Sequence, residues 1–234
     1  MINREWKKEA EQRVMQISQI VAEAGVKGII FGASGGKDSA LVGILCKMAC
    51  ENTIGVIMPC GSKLNYTTDR QHAFLLGEQY GIEHMEVDLT GTKNMLKSAI
   101  GSDFNHQAEI NIAPRLRMTA LYAIAANRGA LVAGTSNRSE IHMGYFTKWG
   151  DAACDFNPIK DLTKTEVQEF LAYLEAPEAI YKKAPSASLF DGQTDEADMG
   201  ITYDEIDEFL LTGKKGENYH IIERYHNISH HKRS

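Results

Sequence analysis

Long apolar runs are missing from this chain. No stretch approaches the roughly 18–20 consecutive apolar residues a membrane span requires. Residues 1–9, Met-Ile-Asn-Arg-Glu-Trp-Lys-Lys-Glu, are charged where a signal peptide would be apolar. Neither a membrane segment nor a secretory leader is expected. Cysteine is scarce as well. Cys46, Cys50, Cys60 and Cys154 contain no C-x-x-C pair, which sets paired-thiol chemistry aside and suits a reduced, cytoplasmic protein. Cys46 and Cys50 are one helical turn apart and read as core thiols. A basic excess is missing too. The net charge is −6, which argues against non-specific nucleic-acid binding, and the one dense basic cluster is the tail His230-His231-Lys232-Arg233. No internal repeat or low-complexity tract interrupts the pattern. With 234 residues, 43% of them hydrophobic, the chain can bury the core of one α/β domain, alone or with an appendage.

The most telling stretch is Gly32-Ala33-Ser34-Gly35-Gly36-Lys37-Asp38-Ser39, between the apolar run at 28–31 and the apolar segment that begins at Ala40. A strand, a Gly/Ser turn and a helix start make a phosphate cradle. Glycines let backbone N–H groups converge on an anion with no Cβ in the way, and the helix adds its unpaired amides and the positive end of its dipole. The common P-loop does not fit, because Asp38 stands where Ser or Thr must follow the lysine. The dinucleotide pattern G-x-G-x-x-G fails at Ser34. The remaining S-G-G-x-D-S pattern resembles the pyrophosphate loop of the N-type ATP pyrophosphatases, which adenylate a substrate and release pyrophosphate.

Periodicity alternates between strand and helix. Helices are expected at 5–24, 38–50, 69–80 and 112–127, and apolar strands at 28–31, 53–58, 83–87 and 130–134. Strands separated by helices predict a doubly wound parallel α/β sheet flanked by helices, with ligands at the strand carboxyl ends. From about Gly144 the texture changes. Thr163-Lys164-Thr165-Glu166 is a capping box that opens a helix to residue 174. A last helix is expected at 203–211, followed by a helical C-terminal segment. The chain thus reads as a single domain: an N-terminal helix (5–24), a nucleotide-binding core (25–143), and a small, helical closing segment (144–234).

The run at 130–134 ends in Gly134-Thr135-Ser136-Asn137-Arg138-Ser139-Glu140. In a parallel sheet this turn opens on the same edge as the loop at 32–39, so Asp38 and Glu140 converge from different strand ends. Paired carboxylates beside a triphosphate suit Mg2+, which takes few protein oxygens and completes its octahedron with phosphate and water.

Beyond the loop, ordered blocks cover nearly everything after residue 25: N-I-x-P-R-x-R-M at 111–118, G-T-S-N-R-S-E at 134–140, G-Y-F-T-K-W-G-D at 144–151 and P-I-K-D-L-T-K at 158–164. They continue with A-P-S-A-S-L at 184–189, D-E-x-x-x-G-I-T-Y-D-E-I-D at 195–207 and the closing His231-Lys232-Arg233. In these blocks the chain resembles the ammonia-dependent NAD synthetases. The resemblance implies an adenine nucleotide alpha hydrolase-like fold and a C–N bond-forming ligase. ATP would adenylate the nicotinate carboxylate of deamido-NAD, and ammonia would displace AMP to give NAD, with pyrophosphate released. It also implies roles by position. Gly32, Ala33, Ser34, Gly35, Gly36, Lys37, Asp38, Ser39, Thr135, Lys164 and Ser186 would contact ATP. Asp38 and Glu140 would bind Mg2+ and, with Lys164, carry the catalysis. Arg115, Lys148, Asp155, His231 and Lys232 would hold deamido-NAD. A homodimer with the 112–127 helix at its interface is implied too.

The chain departs from the family pattern at Ala113-Pro114, where Lys-Ala is usual, and at Ser186, where many members carry threonine. Position 37 varies among members, and a lysine there adds a cation beside the phosphates. Two other readings stay open. One is another adenylating enzyme of the superfamily, of the tRNA thiolase or GMP synthetase type, although a thiolase normally needs paired cysteines. The other is an ATP-binding sensor without turnover, which would not need two acids placed for a metal. Glutamine-dependent members carry a separate amidase domain, for which 234 residues leave no room, so free ammonia is the expected nitrogen donor.

Overall fold

The computed structural model describes residues 4–61, 66–101, 103–183, 185–186 and 194–233. Four strands, β1 (Gly28–Gly32), β2 (Thr53–Ile57), β3 (Glu83–Glu86) and β4 (Ala130–Ala133), form one sheet in the order β3-β2-β1-β4. All three pairings are parallel, with Ile29 opposite Thr53 and Gly28 opposite Ala130. A single parallel bridge joins Phe156 to Ala133 beyond them.

Side chains alternate across a strand, and a parallel sheet is covered on both faces. Ile29 and Phe31 therefore enter one core, with helices α1 (Trp6–Ala24), α2 (Lys37–Ala49) and α3 (Thr68–Tyr80). Ile30 enters the opposite core with Ile54, Val56 and Val132, under the long helix α5 (His106–Arg128). β1 is completely buried along its apolar run, as a central strand should be.

Within the 144–234 stretch, the capping box at Thr163 starts α7 (Lys164–Tyr173), with the Thr163 side chain on the Glu166 amide and Glu166 on the Thr163 amide. The apolar face Val167, Phe170 and Leu171 packs into the first core beside α1 and α2, followed by α8 (Glu178–Tyr181). Residues 195–233 build a third, separate cluster. Met199, Ile201, Tyr203, Ile206 and Ile222 surround Met143 there, contributed by α9 (Asp195–Met199), α10 (Tyr203–Thr212) and α11 (Tyr219–Ile228). The terminal turn α12 (His230–Arg233) follows.

The structure differs from the sequence expectation in several places, the short helices α8 and α9 among them. Helix α5 begins at His106, one and a half turns before residue 112, because Asn105 accepts the Ala108 amide as its cap. It runs straight through Pro114, whose missing N–H removes only one bond of its ladder. Helix α4 (Thr90–Ile100) was not expected. It buries none of its residues, and its apolar positions Met95, Leu96 and Ile100 stay exposed. A third short helix, α6 (Arg138–Met143), occupies what reads as a turn, opened by a capping box between Asn137 and Glu140.

Candidate active site

Strand order runs outward from β1 to β3 and then returns to β4 on the other side of β1. The carboxyl ends of β1 and β4 therefore flank the switch point, where open α/β sheets bind ligands. A cleft of about 980 Å3 opens there, lined by the loop after β1, the turn after β4, α5 and the tail.

The loop has the geometry of an anion cradle. Gly35 has φ +72, and a Cβ on it would come within 2.1 Å of the Asp69 carbonyl oxygen, so only glycine fits. Ser34 and Ser39 join their hydroxyls at 3.0 Å, and Ser39 also donates to the Gly36 carbonyl at 3.0 Å. The N-cap of α2 is Gly36, which supplies no side-chain cap, so the first amides of α2 remain available to a phosphate. Asp38 does not cap this helix. Its carboxylate turns across the cleft instead.

Three residues from three elements meet there. Lys164 donates to Asp38 Oδ2 at 2.7 Å and to Glu140 Oε1 at 2.9 Å. Asn137 Nδ2 donates to Asp38 Oδ1 at 2.9 Å. Asn137 thus serves both as the cap of α6 and as the strut of Asp38. Burial pushes the Glu140 carboxyl up to about 8 against the pull of Lys164, with Asp38 and Asp195 adding to the rise. Burial also opposes the charge on Lys164, but Asp38 and Glu140 outweigh it and hold that ammonium well above its usual range. One cation is shared by two desolvated carboxylates, so the site is short of positive charge. Tyr203 lies beneath, its ring centroid 5.0 Å from the Lys164 nitrogen, and its hydroxyl donates to Asp195 at 3.1 Å.

The remaining expected residues divide. Gly32, Ala33, Ser34, Gly36, Ser39, Thr135 and Ser186 line the cleft with Asp38, Glu140 and Lys164. So do Arg115, Lys148, His231 and Lys232. Arg115 Nε donates to the Lys148 carbonyl at 3.3 Å, and Lys148 Nζ donates to the His231 carbonyl. Three expected residues are not among the lining. Gly35 lies behind the loop against Asp69. Lys37 turns to Gln168 Oε1 at 2.6 Å instead of adding a cation to the phosphate cradle. Asp155 spends its oxygens on the Val132 amide at 2.7 Å and the Tyr122 hydroxyl at 3.2 Å, capping the exposed edge of β4. Of the A-P-S-A-S-L block, only Pro185 and Ser186 lie within the described residues.

The tail is already docked, where a mobile segment that orders on substrate would be the ordinary expectation for a terminus. Lys232 donates to the Gly144 and Phe146 carbonyls, both at 2.8 Å, and Arg233 donates to the His142 carbonyl at 3.2 Å. Gly144 (φ +64) makes this possible, because a Cβ there would fall 2.1 Å from that of Ser229.

Arg117 was not singled out from the sequence. It lines the cleft and donates to the Met58 carbonyl at the end of β2 at 3.0 Å. The signal was present in the R-x-R spacing, since residues two apart on a helix point about 200° apart and cannot share a position. Arg115 takes the exposed rim and Arg117 the interior.

Fold and cleft together define an ATP-handling α/β protein of the adenine nucleotide alpha hydrolase-like class. The NAD synthase family model matches residues 9–233. The ammonia-dependent NAD synthetase of Carboxydothermus hydrogenoformans is 44% identical, over 97% of this chain and 95% of its own length. Among solved structures, the NMN synthetase of Francisella tularensis superposes with a TM-score of 0.93 at 37% identity, covering 99% of this chain and 97% of that one. The ammonia-dependent NAD synthetase of Campylobacter jejuni gives 0.80 at 29% identity, with the same coverage. The chain belongs to the NAD synthase family.

Proposed function

We propose that this protein is a ligase that amidates deamido-NAD with ammonia through an adenylated intermediate, giving NAD, AMP and pyrophosphate. The observation that carries the reading is the convergence of Asp38, Glu140 and Lys164 beside an open anion cradle at the switch point of the sheet. The loop at 32–39 and the α2 amides take the phosphates of ATP. Lys164 leaves its two carboxylates to neutralise charge developing on phosphate oxygens during transfer of the adenylyl group. Arg115, Arg117, Lys148 and the docked tail give the cleft the cationic character an anionic dinucleotide needs.

The donor chemistry fits Mg2+. Asp38 and Glu140 are hard oxygen donors from separate strand ends that already share one cation. Among the described residues no larger His, Cys, Asp or Glu cage forms, consistent with an ion that takes most of its ligands from phosphate and water. When bound, it would supply charge neutralisation of the triphosphate.

A homodimer is part of the same proposal, supported by the family resemblance and by apolar surface on α4, where Met95 and Ile100 are 75% and 54% exposed. No helix among the described residues is long and apolar enough to cross a membrane.

A second reading has one observation behind it. The fold match to an NMN synthetase is closer than that to the Campylobacter NAD synthetase, which favours the nicotinate mononucleotide half alone as acceptor. Turnover assays with ATP and each acceptor, with ammonium or ammonia-free glutamine as donor, decide the matter. Pyrophosphate release and NAD formation with deamido-NAD and ammonium are expected. Preference for the mononucleotide would favour the second reading, and equal rates with glutamine would refute free ammonia as the donor.

A further inference from the structure

Every early amide of α7, the helix that presents Lys164, has a partner. The Lys164 amide donates to Ser139 Oγ at 3.1 Å, the Thr165 amide to Asp207 Oδ2 at 2.8 Å, and the Glu166 amide to Thr163 Oγ1 at 3.3 Å. Only the last of these caps comes from the adjoining chain. The other two come from α6 and α10, and they are linked. Asp207 Oδ1 accepts the Ser139 hydroxyl at 2.5 Å, while Oδ2 also accepts the Thr165 hydroxyl at 2.7 Å.

We infer that Asp207 is a positioning residue for the amidation reaction, pinning the starts of α6 and α7 so that Glu140 and Lys164 meet Asp38. The inference rests on the function proposed above for its kinetic consequence, but not for the pin itself. Ser139 and Thr165 immediately precede and follow the two reacting-site residues in sequence, so one carboxylate fixes both helix starts at their functional turn. Its charge suits the place, since a helix N-terminus favours an anion. It is 2% exposed and does not line the cleft, so it acts through Ser139 and Thr165. Tyr203, one turn earlier on α10, lies under the Lys164 ammonium. Helix α10 thus meets the start of α7 twice, through Tyr203 at the Lys164 side chain and through Asp207 at the Thr165 backbone. A second tie runs from Arg138, at the start of α6, to the Leu210 carbonyl of α10 at 3.0 Å.

The test compares wild type, Asp207→Asn, Ser139→Ala and the double variant. An asparagine at this position retains volume and one acceptor but cannot accept from Ser139 and Thr165 together. A fall in kcat of about tenfold is expected for Asp207→Asn, with Michaelis constants for ATP and acceptor changed less than about twofold. The double variant should lose less than the product of the two single losses, because both substitutions break the Asp207–Ser139 link, while Ser139→Ala alone also removes the acceptor of the Lys164 amide. Hydrogen exchange of the ligand-free protein should quicken in 138–143 and 164–167 while the β1 and β2 amides stay protected. Unchanged kcat with unchanged exchange, or losses in the double variant that multiply, would overturn the assignment. A uniform loss of protection throughout the molecule would overturn it too, by making Asp207 a general stabiliser. A wild type inactive on deamido-NAD would sink the proposed function instead, and the exchange comparison would still decide the pin.

Discussion

Replacing Asp38 with Asn separates the chemistry of the site from its architecture. In the folded protein Asp38 accepts from Lys164 at 2.7 Å on one oxygen and from Asn137 at 2.9 Å on the other. An asparagine has one acceptor, so one of those contacts becomes a donor facing a donor, at a cost of about 1 kcal/mol. Lys164 also loses a counter-charge. Removing a partner from a buried ion pair costs about 3–5 kcal/mol when nothing compensates, but Glu140 remains at 2.9 Å, so about 1–2 kcal/mol is the fitting share. The variant should therefore fold with about 2–3 kcal/mol less stability. It should lose far more in turnover, about a hundredfold or greater, because the amide cannot replace a carboxylate that neutralises and orients the triphosphate. Urea unfolding measures the first quantity, and pyrophosphate release at saturating ATP, acceptor and Mg2+ measures the second. Turnover within about threefold of wild type would refute the role of Asp38 in the reaction. A stability change below about 0.5 kcal/mol would refute its bonds to Asn137 and Lys164.

Gly35→Ala should destabilise the protein by at least about 2 kcal/mol and raise the Michaelis constant for ATP, since a positive φ and the Asp69 carbonyl both oppose a Cβ; thermal unfolding and ATP kinetics check it. Truncation after Ser229 should raise the Michaelis constant for deamido-NAD more than that for ATP, because His231 and Lys232 line the cleft and His231 adjoins Lys148 and Arg115, the residues proposed to hold the acceptor; equal effects on the two substrates would leave the tail without a role in the acceptor site. Burial, with His226, Arg233 and Arg138 nearby, holds His142 down to about 4 from 6.5. Between those values the unfolded chain takes up a proton that the folded one refuses, so stability should fall as pH drops through that window, by about 1–2 kcal/mol once solvent screening of this half-buried ring is allowed for. His142→Gln should flatten that limb in urea unfolding measured at several pH values.

The parallel sheet and the phosphate loop were legible in the sequence because each rests on local chemistry. β1 is an unbroken apolar run followed by a Gly/Ser turn, and the capping box at Thr163 names the start of α7 to the residue. Helix α4 was not expected although Met95, Leu96, Ala99 and Ile100 fall at helical spacing, because that stripe is short and follows a Thr/Gly start with no side-chain cap. The start of α5 depended on the Asn105 cap, which lies well before Ile112, the first apolar position read as helical. At the site, the meeting of Asp38 with Glu140 followed from topology. The Asn137 strut and the Asp207 pin are contacts between residues far apart in the chain, and no spacing announces them. The docking of Lys232 against Gly144 is of the same kind.

The strand order has a kinetic consequence. β1 can pair with β2, and β2 with β3, as soon as the amino-terminal part of the chain is present, but Gly28 must wait for Ala130 before the sheet gains its fourth strand. Closure over so long a loop is slow relative to local pairing. Even then the centre is incomplete until Lys164 arrives from beyond β4. Early folding intermediates would therefore carry a phosphate loop with no opposing carboxylate or ammonium. On refolding from urea, recovery of the sheet should run ahead of recovery of turnover, and the lag would time the return of α7 to the switch point.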